Sequence, residues 1–136
     1  MKGVTIFMDG QPIGKGRPRF TRIGRVYTPE KTRKFEHKLA AIASDCMIAE
    51  NLEPTDRPCS MVIEARFEIP KSWAKKKRLA AERNEIFPGR PDIDNVAKIA
   101  LDSLNGVVFE DDDQVYDLFV DKRYSLEPHL MITVSW

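Results

Sequence analysis

DIDNVAKIALDSLNG (residues 92–106), followed by VVFE (107–110), DDDQ (111–114) and VYDLFV (115–120), decides the fold. From Asp94 onward, Val96, Ile99, Ala100, Ser103 and Leu104 recur on one helical face, and Asn105-Gly106 predicts a left-handed helix end. The two apolar runs after it read as strands, and the acidic tetrapeptide between them predicts a hairpin turn. Working outward, SMVIEARFEI (60–69) alternates almost without fault, with Met61, Ile63, Ala65, Phe67 and Ile69 on one face. Residues 3–9 and the closing LMITVSW alternate in the same way. A long amphipathic helix is expected over about 29–49, with Thr28 as N-cap, Pro29 in the first turn, and Phe35, Leu39, Ile42 and Cys46 at helical spacing. Ser72 is positioned to cap a short basic helix through KKKRLAAER, after which FPGRP breaks the chain. Helices interspersed with alternating strands predict an α+β fold: a single domain over 1–136, with a small mixed sheet and helices packed on it.

Composition sets the outer limits. A chain of 136 residues buries about two-thirds of its unfolded surface, enough for one apolar core without a staple. Hydrophobic residues at 42% and charged residues at 32% exclude a disordered chain and a membrane-spanning one. Cys46 and Cys59 form no C-x-x-C pair and are expected to be reduced and buried. No signal-peptide pattern and no run of 18 apolar residues is present, so the expectation is a cytoplasmic protein with no membrane partner.

The formal net charge of +1 conceals a divided chain. Residues 2–38 hold ten Lys or Arg against three acids, a surplus of seven positive charges; residues 92–121 hold nine acids against Lys98 alone, a surplus of eight negative charges. The basic half contains GKGRPRFTRIGRVYTP (14–29), which has neither helical nor strand period and reads as an exposed, mobile loop. Its Lys15, Arg17, Arg19, Arg22 and Arg25 suit nucleic-acid phosphates, and Phe20 and Tyr27 suit stacking on unpaired bases. The competing reading is a merely solvated loop.

The acidic half has two foci, Asp92-Ile-Asp94-Asn95 at the start of one helix and Glu110-Asp111-Asp112-Asp113-Gln114 just beyond its end. Carboxylates at a helix start are favoured by the macrodipole. If the turn returns toward the helix mouth, three or more carboxylates meet, and their repulsion calls for a cation. Oxygen donors without His or Cys partners favour Mg²⁺, with Mn²⁺ as a substitute, over zinc. Such ions polarise phosphodiesters and activate water, which is the equipment for cutting nucleic acid. An EF-hand is excluded, because Val96 and Val115 fall where the third ligand belongs. Lys98, four residues after Asp94, has two readings: a holder of the scissile phosphate, or a solvated lysine paired with Asp94 or Asp102. Acidic turns are also ordinary solvated turn chemistry. His37 and His129 are isolated and read as structural.

The segment GRPDIDNVAKIALDSLNGVVFEDDDQV (89–115) resembles the signature of the RusA family of Holliday junction resolvases, the crossover junction endodeoxyribonucleases. D-x-D-N, a Lys four residues after the second Asp, a Leu-Asn-Gly helix end and a D-D-x-Q turn occur in the family's order and spacing. The opening basic segment resembles the N-terminal arm of many members, and the resemblance is weakest over 40–88. It implies a small α+β homodimer that uses magnesium to place paired nicks in four-way DNA junctions in recombination and repair, often encoded by phages or prophages. It further implies metal-site aspartates at Asp92, Asp94 and Asp112, a catalytic lysine at Lys98, and no small-molecule cofactor. Asp111 is left without a defined role. Some relatives carry several arginines before the first aspartate, where this chain has Gly89-Arg90-Pro91. Two other functions compete, a nuclease of flaps or single strands and a catalytically silent DNA-binding module.

Overall fold

A computed structural model describes residues 1–17 and 19–136, with Arg19 described by its backbone alone. In chain order the elements are β1 (Gly3–Asp9), β2 (Arg19–Phe20), β3 (Val26–Tyr27), α1 (Glu30–Ala49), β4 (Cys59–Glu68), α2 (Lys75–Glu82), α3 (Ile93–Leu104), a 3₁₀ turn (Asp112–Gln114), β5 (Val115–Ser125) and β6 (His129–Ser135). The four long strands form one mixed sheet in the order β1-β6-β4-β5, in which only the β4–β5 pair is parallel. This is the expected α+β domain. No helix among the described residues is long and apolar enough to cross a membrane.

Strand alternation builds the core directly. Ile6, Ile132 and Ile63 lie side by side on β1, β6 and β4, all with no exposed surface, and Val120 of β5 completes the row. Leu39, Ala43 and Met47 of α1 and Val96, Ala100 and Leu104 of α3 cover that face. Each such isoleucine stabilises the fold by about 1.5–3 kcal/mol relative to an exposed one. The opposite face carries an ion-pair layer, with Asp121 bound to Arg66 at 3.2 Å and to Arg123 at 2.9 Å, and His129 stacked on Phe7 at 5.0 Å between ring centroids. His129 therefore has a packing role, Cys46 and Cys59 are both free thiols, and Cys59 is buried.

The hairpin expected at 107–120 does not form. Residues 107–110 make no strand: Val108 and Phe109 are fully buried and plug the space beneath the end of α3. Phe109 forms isolated bridges to Thr55 and Asn105, and Thr55 N–H donates to the Val108 carbonyl at 2.9 Å. β5 instead runs parallel to β4, from Cys59↔Val115 to Glu68↔Ser125, with one register shift between Cys59 and Ser60. The apolar run VVF signalled burial, and alternation cannot distinguish a plug from a strand.

Three local expectations also change. Helix α1 begins at Glu30 with Pro29 in the cap position and no side-chain cap, so Thr28 does not cap it. Helix α2 begins at Lys75 with Ala74 in the cap position, so Ser72 does not cap that helix. Asn105 is extended (φ −62°, ψ 123°) and Gly106 has φ +79°, with Val107 N–H donating to the Leu104 carbonyl at 3.0 Å. That is a type II turn, which demands positive φ at the glycine, instead of a left-handed helix cap. Within the basic segment, β2 and β3 pair as a minimal hairpin where no strand was expected. Thr21 closes its tip, with its N–H donating to the Arg25 carbonyl at 2.7 Å and its hydroxyl accepting from Arg25 N–H at 3.1 Å.

Candidate active site

Helix α3 starts where a chain segment is held from below. Lys122 occupies a core-facing position of β5, opposite Ala65, and donates to the carbonyls of Gly89 (2.5 Å) and Pro91 (2.8 Å). The Arg90–Pro91 peptide between them is cis. Asp92 then takes the N-cap position with extended backbone (φ −62°, ψ 149°), and its carbonyl accepts from Val96 N–H at 3.1 Å. Its side chain makes no capping hydrogen bond, so the carboxylate is exposed and uncommitted; Asp94 in the first turn is likewise exposed. Both gain from the helix dipole.

The acidic turn is built by reciprocal capping. Asp111 accepts from Asp113 N–H at 3.4 Å while Gln114 Oε1 accepts from Asp111 N–H at 2.8 Å. The other end of the Gln114 amide donates to the carbonyls of Thr55 (2.8 Å) and Arg57 (2.9 Å), fastening the turn to the approach to β4. Asp111 is thus used in the architecture of the turn, and Asp112 is the residue that faces α3. The Asp112 carboxyl is pushed up, first by a hydrogen bond with the Asp111 side chain, then by burial and by the charges of Asp111 and Asp102; Lys98 opposes the shift.

Two clefts flank the start of α3. One, of about 570 Å³, is lined by Asp94, Lys98, Asp102 and Asp112 over an apolar floor that includes Leu118 and Val120. The other, of about 950 Å³, is lined by Asp92 and Asn95 together with Arg17, Lys31 and Arg90. Asp94, Lys98 and Asp112 therefore share one cleft, and Asp92 stands on the adjoining one. No three of the described Asp, Glu, His or Cys side chains converge into a group able to hold an ion. The donor set nevertheless fits a hard divalent cation in kind: carboxylate oxygens only, Asp92 and Asp94 uncommitted, and Asp112 under electrostatic strain from its neighbours.

Lys98 is 62% exposed and pairs with Asp102 at 3.8 Å, the partner four residues on. Asp102 also receives Lys15, at 3.1 Å, and Lys15 reaches both oxygens of Glu36 at 3.0 Å. Burial pulls the Lys15 ammonium down, but its hydrogen bonds to Glu36 and Asp102 and their charges outweigh that and hold it above the ordinary lysine value. Lys15 is therefore engaged at the root of the basic segment, whereas Arg17, Arg22 and Arg25 are exposed; the Arg19 side chain lies outside the described residues. Phe20 is 73% exposed and Tyr27 47%. The pairing of Lys98 with Asp102 was one of the two expected for it; the parts that sequence reasoning missed are Lys122, Glu36, the contact of Lys15 with Asp102 and the anchoring role of Gln114. Lys122 alone left a trace, a lysine in the inward phase of Leu118, Val120 and Tyr124.

Residues 9–135 match the family model described as Endodeoxyribonuclease RusA. A relative from Bacillus subtilis (strain 168), named uncharacterized protein YqaN, is 36% identical over 131 residues, which span 92% of this chain and 90% of the relative.

Replacing Lys122 with Met removes the ammonium that two carbonyls share and leaves the Asp92 approach untied. The expected cost is about 1–2 kcal/mol of stability, with faster amide hydrogen exchange over residues 89–95 and unchanged exchange in β1 and β6. Equal exchange over 89–95 in variant and parent contradicts the assignment.

Proposed function

Because the chain belongs to the RusA endodeoxyribonuclease family, a family of Holliday junction resolvase nucleases, we propose that it is a cytoplasmic, magnesium-dependent enzyme that resolves four-way junctions by paired symmetric nicks. The observation that carries this reading is the shared cleft of Asp94, Lys98 and Asp112 beside the exposed Asp92. Asp92, Asp94 and Asp112 are the residues that would hold Mg²⁺, or Mn²⁺ in its place. When bound, such an ion neutralises charge on the phosphodiester and lowers the pKa of water.

The remaining work falls to the chain itself. Lys98, with its ammonium largely in solvent at the cleft, donates to the scissile phosphate and stabilises the extra negative charge of the pentacovalent transition state. Ala97, Leu101, Leu118 and Val120 keep one side of the cleft apolar. Arg17, Arg22 and Arg25 hold phosphates, and the exposed Phe20 and Tyr27 stack on bases that a junction leaves unpaired. The same aromatic rings would serve on a flap, so nicking is compared on junction, flap and linear duplex; a preference for the flap overturns the junction assignment. Lys15, engaged with Glu36 and Asp102, belongs to the support of the site and not to the DNA contacts.

Three measurements test the reading. Asp112→Asn changes one charge with little change of shape, so junction nicking should fall by about 100-fold or more, while metal-free junction binding stays level or rises because repulsion toward the phosphates is reduced. Asp113→Asn is the control and should nick normally; near-normal nicking by Asp112→Asn refutes the ligand assignment. Neutralising Arg17, Arg22 and Arg25 together should weaken binding and flatten its log–log salt dependence by up to about 0.9 per lost phosphate contact, and an unchanged slope refutes the DNA-contact role. One site per chain and two symmetric nicks require a two-fold dimer, so sedimentation at assay concentration should give twice the chain mass; a monomer that nicks both strands in concert rules the dimer out.

A further inference from the structure

We propose that Asp102 is a positioning residue for Lys98, held in turn by Lys15. This rests on the reading of Lys98 as the group that meets the scissile phosphate. Lys98 lies between two carboxylates on one face of α3, Asp94 four residues before it and Asp102 four residues after. A lysine drawn to Asp94 would spend its charge on an acid of the metal site; the structure pairs it with Asp102.

The Asp102 carboxylate is itself fixed. Its Oδ2 atom receives Lys15 at 3.1 Å and Lys98 at 3.8 Å, and exposure rises along the relay from 16% at Lys15 through 26% at Asp102 to 62% at Lys98. One end is therefore anchored and the other is open to the cleft. The anchor is held by backbone as well as charge. Lys15 N–H donates to the Asn95 carbonyl at 2.9 Å, and the glycines on either side pack so closely that a Cβ on Gly14 would lie 2.6 Å from Pro91 Cβ, and one on Gly16 2.6 Å from Thr32 Oγ1. Glu36 clasps the same ammonium with both oxygens. An isolated i,i+4 pair on a helix surface is weak and readily exchanged. Here the carboxylate is already oriented by a second cation, so Lys98 meets a preset partner, and the long contact leaves it able to reach a phosphate oxygen.

The test uses the full-length protein, a four-way junction and Mg²⁺. Asp102→Asn leaves Lys15 paired with Glu36, so the fold and metal-free junction affinity should stay within about twofold of the parent. Misplacement of Lys98 should lower single-turnover nicking by about 10- to 100-fold, with the Mg²⁺ concentration for half-maximal rate unchanged. Asp102→Glu, which keeps the charge, should recover part of that rate, and it replaces the Asn variant as the probe if the latter unfolds. In a Lys98→Met background, which has lost the group to be positioned, Asp102→Asn should cause no further loss. Normal nicking by Asp102→Asn, or losses that multiply in the double variant, overturns the proposal. A raised Mg²⁺ requirement also overturns it, because Asp102 would then be a ligand. Parent-like nicking by Lys98→Met removes the underlying reading of Lys98, an outcome distinct from a Lys98→Met loss that Asp102→Asn does not share.

Discussion

The parallel pairing of β5 with β4 is the constraint on which the site depends. Parallel neighbours start at the same end of a sheet, so after β4 the chain must travel back before β5 can begin. Helices α2 and α3 make that return, and the last of the journey is the acidic turn at 111–114. Lys122 ties the beginning of α3 to the far part of β5, and Leu104, Val108 and Thr55 tie its end to the approach of β4. The helix consequently lies along β5, and Asp112, at the start of that strand, shares a cleft with Asp94 and Lys98. An antiparallel β5 would begin at the opposite end and carry Asp112 away.

Charge is organised around that frame in two layers. The outer layer consists of exposed groups: Arg17, Arg22 and Arg25 in the basic segment and Asp92 and Asp94 at the start of α3. The inner layer is the half-buried contact of Lys15 with Glu36 and Asp102, which joins the root of the basic segment to both long helices. Opposite charges that face solvent separately are thus connected by three groups that are largely withdrawn from it.

Much of this was legible in the sequence, for identifiable reasons. The strands β1, β4 and β6 show strict alternation because one face is buried and the other is wet, and α3 shows a clean apolar stripe because it rests on the sheet. The turn was expected to return to the helix mouth through a hairpin and gather three carboxylates there; the hairpin does not exist, and Asp112 and Asp94 line one cleft without such a cluster among the described residues. What sequence could not show was strand direction, since β5 has the same period whether it runs parallel or antiparallel. Nor could it show which carboxylate of the turn faces α3, which is settled by Asp111 and Gln114 capping each other. Lys15 is one of five similar cations, and nothing in its neighbours marked it as turned inward.

The two glycines beside Lys15 divide the basic segment into parts with different freedom to change. At its root, a single added methyl group would collide with Pro91 or Thr32. At its tip, the backbone at Gly24 has φ +81° and so favours glycine, but a Cβ there would meet nothing within 4 Å, and the hydrogen bonds of Thr21 and Arg25 close the turn on itself. The exposed side chains of the tip can therefore change without disturbing the carboxylates, while the glycines of the root must be kept. On the proposed reading, a lineage, or a designer, has room to retune which DNA shapes are grasped while leaving the carboxylates in place.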